Sequence, residues 1–174
     1  GALIVAAAKA GLKQAEMLTS GGYSIVKKFP FDSGRKMASV IVRAPQGKHF
    51  LTLKGAPDVV LAKSTSYMLD DGFVPTAGDT AGNLALDTSQ AQELQTNFEA
   101  AIQNFGSDAL RTLAVGFREL KEEELELDFP ELEKDVSILG IYGIMDPPRP
   151  EVRDAVDTCF DAGVRTVMIT GDHA

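Results

Sequence analysis

The chain has 174 residues, of which 44% are hydrophobic and 24% are charged. This is a globular composition, and it excludes collagen-like, low-complexity and intrinsically disordered classes. Seventeen basic and 25 acidic residues give a net charge of −8, whereas general nucleic-acid binders are usually basic. A single cysteine and two distant histidines exclude a disulfide framework and make a metal site unexpected. We therefore expect a soluble domain from a reducing compartment, without nucleic acid as a partner.

The first part of the chain predicts an α+β domain with an antiparallel sheet flanked by helices. Strong helix formers predict a helix over residues 2–10 and further helical turns over 13–18. Partial alternation of apolar and polar residues, with β-branched side chains, predicts six strands, of which the fourth and fifth form a hairpin. The predicted strands cover residues 23–31, 36–43, 49–54, 67–69, 73–75 and 110–120.

Two further helices are predicted between these strands. Pro57 suits the first turn of a helix that runs to about Lys63, and Asp87 or Thr88 can cap a helix that runs to about Asn104. Residues 76–86 are rich in Gly, Thr and Asp and predict a loop.

Residues 121–135 place eight acidic side chains in a leucine-bearing stretch. Such a charge run is typical of a solvated, partly helical connector rather than of a cation site. We therefore expect a connector here, and we place a domain boundary near residues 128–136.

The pattern changes after this stretch. Residues 136–145 and 164–169 are almost continuously apolar and predict strands, and residues 150–162 between them predict a helix. Two strands that are apolar on both faces, joined by a helix, predict a parallel βαβ unit. The expected organisation is a first domain (residues 1–128), an acidic connector (129–135) and a partial α/β domain (136–174). The chain begins and stops abruptly beside apolar segments, so we expect a piece of a longer protein.

Two segments of the first domain have the chemistry to meet an anionic aromatic ligand. Phe31 precedes the adjacent cations Arg35 and Lys36, and a ring can stack on a base while a cation meets phosphate. Lys54 ends an apolar strand, and Gly55 removes a side chain where the chain turns into a helix, so a ligand could approach the backbone. Taken alone, a core aromatic residue and an ordinary strand-to-helix turn are the simpler interpretations.

Three more positions could contribute to chemistry at strand ends. Arg111 lies at the start of a predicted strand, where a phosphate contact competes with a plain surface arginine. Asp146 follows one apolar strand, and Thr170, Gly171 and Asp172 follow the other. Open α/β sheets bind ligands at the carboxyl ends of their strands, and hydroxyl, amide and carboxylate groups there suit a phosphoryl group with Mg²⁺.

The ordered set of motifs resembles the cytoplasmic catalytic region of P-type cation-transporting ATPases, most of all the type II branch that includes calcium pumps. Their order and rough spacing agree over the whole chain. The motifs are Phe31 with Arg35-Lys36, Lys54-Gly55-Ala56-Pro57-Asp58, Arg111, Asp146-Pro147-Pro148-Arg149 and Thr170-Gly171-Asp172. The resemblance implies a nucleotide-binding (N) domain over residues 1–128. It also implies the start of the second half of a haloacid-dehalogenase-like phosphorylation (P) domain over residues 136–174.

The resemblance implies a role for each motif residue of the N domain. Phe31 would stack on the adenine of ATP or ADP, Lys54 would line the same pocket, and Gly55 would allow close approach. Lys36 and Arg111 would assist with the nucleotide or its phosphates.

It also implies the roles of the P-domain residues. Asp146 would lie at a strand end in the active site, and Thr170 and Gly171 would hold the transferring phosphoryl group. Asp172 would face the Mg²⁺–ATP end. The intact enzyme would add the rest of the P domain, an actuator domain and membrane helices, with this region on the cytoplasmic face of the membrane.

The sequence departs from the family pattern in ways that limit what this chain can do. It lacks the Asp-Lys-Thr-Gly-Thr motif with the phosphorylated aspartate, so we expect weak ATP binding and no hydrolysis. Ser33 stands where calcium pumps of animals often have arginine, which removes one expected phosphate contact. The type II appearance favours calcium as the transported ion, ahead of protons, sodium/potassium and magnesium.

Two other interpretations make different predictions. A free-standing haloacid-dehalogenase-type phosphatase needs an aspartate nucleophile after a strand near its N-terminus, and none is present. A non-catalytic regulatory or interaction module would use residues 121–135 to contact a partner, and Phe31→Ala would then leave nucleotide affinity unchanged. Exposed apolar strand edges in the partial second domain also predict self-association through residues 136–170.

Overall fold

The structure is a computed structural model that describes residues 1–69, 72–75, 88–108, 110–145 and 147–169. It opens with two short helices, α1 (Ala2–Lys9) and α2 (Gln14–Thr19), which confirm the helical prediction for this region. Gly11, with a φ of +80°, follows α1 in the left-handed conformation that glycine adopts readily. In the described part of the chain, no helix is both long enough and apolar enough to cross a bilayer.

The strands of the described residues form one seven-stranded mixed sheet in the order β1-β2-β3-β6-β7-β4-β5. All neighbours in the sheet are antiparallel except β4 and β7, which are parallel. The strands are β1 (Ser24–Asp32), β2 (Met37–Arg43), β3 (His49–Gly55), β4 (Ser64–Leu69), β5 (Gly72–Pro75), β6 (Arg111–Leu120) and β7 (Val136–Ile144). The other helices are α3 (Pro57–Ala62), α4 (Thr88–Ser107), α5 (Phe129–Leu132) and α6 (Glu151–Asp161), with a 3-10 turn at Glu122–Glu124.

The sequence prediction for the first part of the chain is confirmed apart from details at the ends of elements. The first six strands, the β4–β5 pairing and the helices α3 and α4 all form. The predicted loop over residues 76–86 lies outside the described residues.

Alternation along the strands gives the sheet two different faces. On the inner face Ile41 of β2 and Leu51 of β3 are fully buried, together with Val60 of α3. Helix α4 packs on the same face, where the rings of Tyr67 and Phe98 lie 5.5 Å apart. The outer face is half-buried along β2 and β3, and residues of α1 and α2 line cavities on it.

The acidic segment (residues 121–135) covers part of the inner face. Leu132 is fully buried and Glu133 is 1% exposed, and Leu125 and Leu127 pack against the core. The ring of Phe129 lies 5.7 Å from that of Phe29. The prediction of a solvated connector is therefore wrong for this part of the segment, because its apolar side chains bury while most of its carboxylates stay outside.

The predicted parallel βαβ unit is not seen in the described residues, although its first strand and its helix both form. Strand β7 pairs along its length with β6, from Ile144 opposite Arg111 to Ser137 opposite Phe117, and with β4 on its other edge. Strand β4 pairs with that edge only from Val136 to Ile138, and residues 164–169 do not pair with the rest of it. Those residues follow the predicted helix α6 but form no strand, so a haloacid-dehalogenase-like piece is not seen in the described residues. The boundary predicted near residues 128–136 lies between β6 and β7, which are neighbours in the same sheet.

Candidate functional site

The tight turn between β1 and β2 presents the first motif. The side-chain Oδ1 of Asp32 accepts a hydrogen bond from the backbone amide of Arg35 at 2.9 Å, and its carbonyl accepts one from the amide of Lys36 at 2.8 Å. Lys36 has a left-handed φ of +53°, which is uncommon for residues other than glycine. The turn leaves the side chain of Phe31 67% exposed next to Lys36.

Arg35 attaches this turn to the acidic segment. Its guanidinium forms a salt bridge with the carboxylate of Glu133 and donates to the carbonyl of Pro30 at 2.7 Å. It also lies over the ring of Phe129, 4.5 Å from the ring centre. The hydroxyl of Ser39 on β2 donates to the same carboxylate.

Gly55 ends β3 directly beside the turn. A Cβ at this position would lie 2.5 Å from the Cβ of Met37 and 2.8 Å from the carbonyl oxygen of Lys36, so the close approach of β2 and β3 excludes a larger residue. The amide of Ala56 donates to that same carbonyl at 3.1 Å, so this amide is not free to donate to a phosphate. Packing alone therefore explains why a glycine occupies position 55. Its role in the approach of a ligand stays a prediction.

The ends of β2, β3 and β6 enclose a cavity of about 420 Å³. It brings together four of the site residues predicted from sequence, and it adds an apolar part from β2, β6 and the start of α3. The lining residues are Phe31, Lys36, Ala38, Lys54, Gly55, Ala56, Thr112 and Leu113. An exposed aromatic ring, two ammonium groups and an apolar surface suit a flat heteroaromatic ring that bears an anionic group.

Arg111 lies close to this cavity but does not line it. Alternation along β6 places Arg111 on the same face as Leu113, which does line the cavity. The two residues are about 7 Å apart along the strand, at about 3.4 Å per residue. The side chain of Arg111 is exposed, so it is available to a ligand that extends beyond the cavity.

The cavity continues into a groove along the outer face of the sheet. A second cavity of about 470 Å³ shares Ala38 and Lys54 with the first, and a third of about 280 Å³ shares Lys28, Val40 and Thr52 with the second. Sequence motifs did not identify Ala38 or Leu113 as lining residues. Their signal was the strand alternation that places every second residue on one face.

The other predicted site residues cannot be placed. Asp146, Thr170, Gly171 and Asp172 lie outside the described residues. In the described ranges, no three His, Cys, Asp or Glu side chains gather closely enough to hold a metal ion. The fit of a Mg²⁺-bound phosphoryl group to this chain is therefore a prediction from sequence alone.

Comparison with protein families decides which family this fold represents. Residues 1–151 match the family described as P-type ATPase, cytoplasmic domain N. The chain belongs to this family. The matched region includes β7 and the whole cavity, so the N-domain match extends past the boundary that the sequence analysis placed near residues 128–136.

Calcium-transporting ATPases are among the relatives of this N domain. The chain is 42% identical to a calcium-transporting ATPase of Bacillus subtilis over 99% of its length, and 38% identical to the calcium-transporting ATPase PAT1 of Dictyostelium discoideum over 86%. It is 33% identical to calcium-transporting ATPase 1 of Bacillus cereus over 85%. The chain spans 18%, 12% and 15% of these three relatives, respectively.

Proposed function

We propose that this chain binds ATP in the cavity of about 420 Å³ and serves as the nucleotide-binding part of a cation-transporting P-type ATPase, with calcium as the ion. The observation that carries the proposal is the joint position of an exposed Phe31 ring and the ammonium groups of Lys36 and Lys54 in one cavity. The family match and the names of the relatives support the same function.

The chemistry of the cavity suggests how the nucleotide is oriented. The adenine ring stacks on Phe31 and contacts the apolar surface of Ala38 and Leu113, which displaces water from the base. Lys54 lines the base site, while Lys36 and Arg111 meet the phosphates. Each is a cation that favours an anionic oxygen.

The parent enzyme would transfer the γ-phosphoryl group in line from Mg²⁺–ATP to an aspartate and then hydrolyse the acyl phosphate, coupled to ion translocation. That aspartate belongs to a motif absent from this sequence, so the chain captures the nucleotide and hydrolyses nothing. Asp146, Thr170, Gly171 and Asp172 are proposed for the P-domain end of the reaction. The remaining P domain, the actuator domain and the membrane helices are the proposed partners, on the cytoplasmic face of the membrane.

A titration with ATP, with and without Mg²⁺, tests the proposal. Calorimetry gives the dissociation constant, and amide NMR shifts locate the contact. We expect shifts at Phe31, Lys36, Lys54, Gly55 and Arg111. The variant Phe31→Ala should bind ATP about tenfold more weakly, because base–aromatic stacking contributes about 1–3 kcal/mol.

Phe160→Ala is the matched control, because Phe160 is 61% exposed on α6 and lies outside the residues that line the cavity. It should bind ATP as the wild type does. Equal affinities for wild type and Phe31→Ala would favour a module that does not use this ring, and the absence of any shift at millimolar ATP would contradict nucleotide binding by this chain. The apolar side chains of the acidic segment pack against the core, which argues against the alternative in which this segment contacts a partner protein.

A further inference from the structure

The acidic segment contains one carboxylate that is buried rather than solvated. Glu133 is 1% exposed, and in the described part of the chain the buried polar residues besides it are Ser39 and His49. A buried carboxylate is costly unless it is paired and hydrogen-bonded. Arg35 and Ser39 meet that requirement, although Arg35 lies 98 positions away in the sequence.

Arg35 links the β1–β2 turn to the acidic segment through several contacts at once. Its guanidinium contacts Glu133, the carbonyl of Pro30 and the Phe129 ring, while its backbone amide donates to Asp32. The planar guanidinium can make these contacts at once because its donors point in several fixed directions. A lysine at this position could not replace all of them.

The two residues that flank these contacts are those that reach the cavity. Phe31 follows Pro30, and Lys36 follows Arg35, and both line the cavity of about 420 Å³. Phe31 is 67% exposed, so packing of its own ring does little to fix its position. The attachment of Arg35 to the acidic segment adds to the hydrogen bonds of Asp32 and of the Ala56 amide that hold this turn in place.

We propose that Glu133 is a positioning residue for nucleotide binding, which acts through Arg35 to keep the β1–β2 turn where Phe31 and Lys36 face the cavity. The inference rests on the proposed function. It assigns the acidic segment a part in nucleotide affinity, although no residue of that segment lines the cavity.

The expected effect on ATP affinity depends on the fraction of molecules in which the β1–β2 turn has the conformation that binds ATP, here called the competent conformation. Glu133→Gln keeps the size of the side chain but leaves Arg35, 18% exposed, without its counter-charge. If the turn then adopts its competent conformation about a tenth of the time, the apparent dissociation constant for ATP rises about tenfold.

A matched control exists in the same segment. Glu124 forms a salt bridge with Arg118, which also donates to the carbonyls of Leu132 and Lys134, and neither Glu124 nor Arg118 takes part in the contacts of Arg35 with the turn. Glu124→Gln therefore removes an acid–arginine pair whose carboxylate is more exposed, 24% against 1% for Glu133, and should leave ATP affinity unchanged. The comparison separates positioning of the turn from a general loss of stability.

The experiment measures the ATP dissociation constant of wild type, Glu133→Gln, Arg35→Lys, Glu124→Gln and Phe31→Ala, with denaturation curves to confirm folding. We expect Glu133→Gln and Arg35→Lys to bind about tenfold more weakly and to shift the amide signals of residues 31–36 before ATP is added. In a Phe31→Ala background the effect of Glu133→Gln should shrink, because both changes act on the same contact. If Glu133→Gln does not fold, Arg35→Lys decides the outcome by the same criteria.

If Phe31→Ala weakens ATP binding, two results would contradict the role of Glu133 while leaving the proposed function intact. One is wild-type affinity with unchanged signals for residues 31–36 in Glu133→Gln. The other is an equal loss of affinity in Glu124→Gln. If the wild type itself does not bind ATP, the proposed function fails and the inference fails with it.

Discussion

The backbone amide of Ala56 donates a hydrogen bond to the carbonyl oxygen of Lys36, with the two atoms 3.1 Å apart. This bond continues the β2–β3 ladder one step beyond the pair formed by Met37 and Gly55. It joins the two motifs that supply the lysines of the cavity. A change that separates the strands here therefore alters both lysine positions together.

Gly55→Ala tests that dependence. The added methyl would meet Met37 and the Lys36 carbonyl, so we expect a loss of about 1–3 kcal/mol in the free energy of unfolding. ATP affinity should fall as well, because Lys36 and Lys54 move apart. Urea denaturation followed by circular dichroism measures the first effect, and calorimetry the second. Gly106→Ala in α4, where a Cβ meets nothing within 4 Å, should not destabilise the protein. A wild-type denaturation midpoint for Gly55→Ala would contradict the prediction.

The three cations near the cavity should differ in the part of the nucleotide that they recognise. Lys54→Gln should weaken both adenosine and ATP, since Lys54 lines the proposed base site. Lys36→Gln and Arg111→Gln should weaken ATP about tenfold, typical of a lost hydrogen bond to a charged group, and leave adenosine unchanged. Calorimetry with the two ligands measures the difference.

Lys48→Gln is the control for those charge changes. Lys48 is exposed, pairs with Glu119 at 2.8 Å and lies outside the cavity lining, so ATP affinity should stay at the wild-type value. A similar loss of ATP affinity in all four variants would indicate an effect of net charge rather than of specific contacts.

The sequence predicted those features of the structure that depend on residues close together in the chain. The alternation over β2 and β3 predicted both strands, and the motifs around Phe31 and Lys54 supplied four of the eight residues that line the cavity. Strand β7 was predicted as a strand but with the wrong partner, because an apolar run suits any strand covered on both faces. Its partners β6 and β4 are defined by pairing that a local pattern does not contain.

The acidic segment was misjudged for a related reason. A run of carboxylates is usually solvated, and nothing adjacent to Glu133 identifies it as the buried one. Its partners Arg35 and Ser39 lie 98 and 94 positions away, so the pair exists only after β1, β2 and the segment have come together.

Exposed apolar residues after α6 predict self-association of this chain. Val167, Met168 and Ile169 are 71%, 86% and 93% exposed, whereas β7 is held in the sheet by β6 along most of its length and by β4 at its start. We therefore expect contacts through residues 164–169 rather than exchange of β7. Sedimentation velocity should show concentration-dependent association that Val167→Glu reduces. Val5→Glu, at the 55% exposed Val5 of α1, should not reduce it. A monodisperse wild-type monomer would contradict the prediction.

Glu124 should make stability depend on pH in the acid range. A hydrogen bond from the backbone amide of Lys121, at 2.9 Å, is the main cause that lowers the pKa of Glu124; burial opposes it, and the charge of Arg118 adds to the lowering. Because the folded-state pKa lies below the unfolded one, this stabilisation is complete above the ordinary carboxyl pKa and is lost as the pH falls through the folded value.

Glu124→Gln should therefore be less stable than wild type at neutral pH, by about 1 kcal/mol at most, because its amide oxygen can still accept from Lys121 but lacks the charge that pairs with Arg118. The difference should shrink as the pH falls below the ordinary carboxyl range, because the wild-type side chain then also becomes neutral. Denaturation midpoints measured from neutral pH down to about pH 3 follow the change across that range. Glu131→Gln, at an exposed acid of the same segment, should track the wild type throughout. A gap between Glu124→Gln and wild type that stayed constant with pH would show that the charge of Glu124 does not contribute to folding.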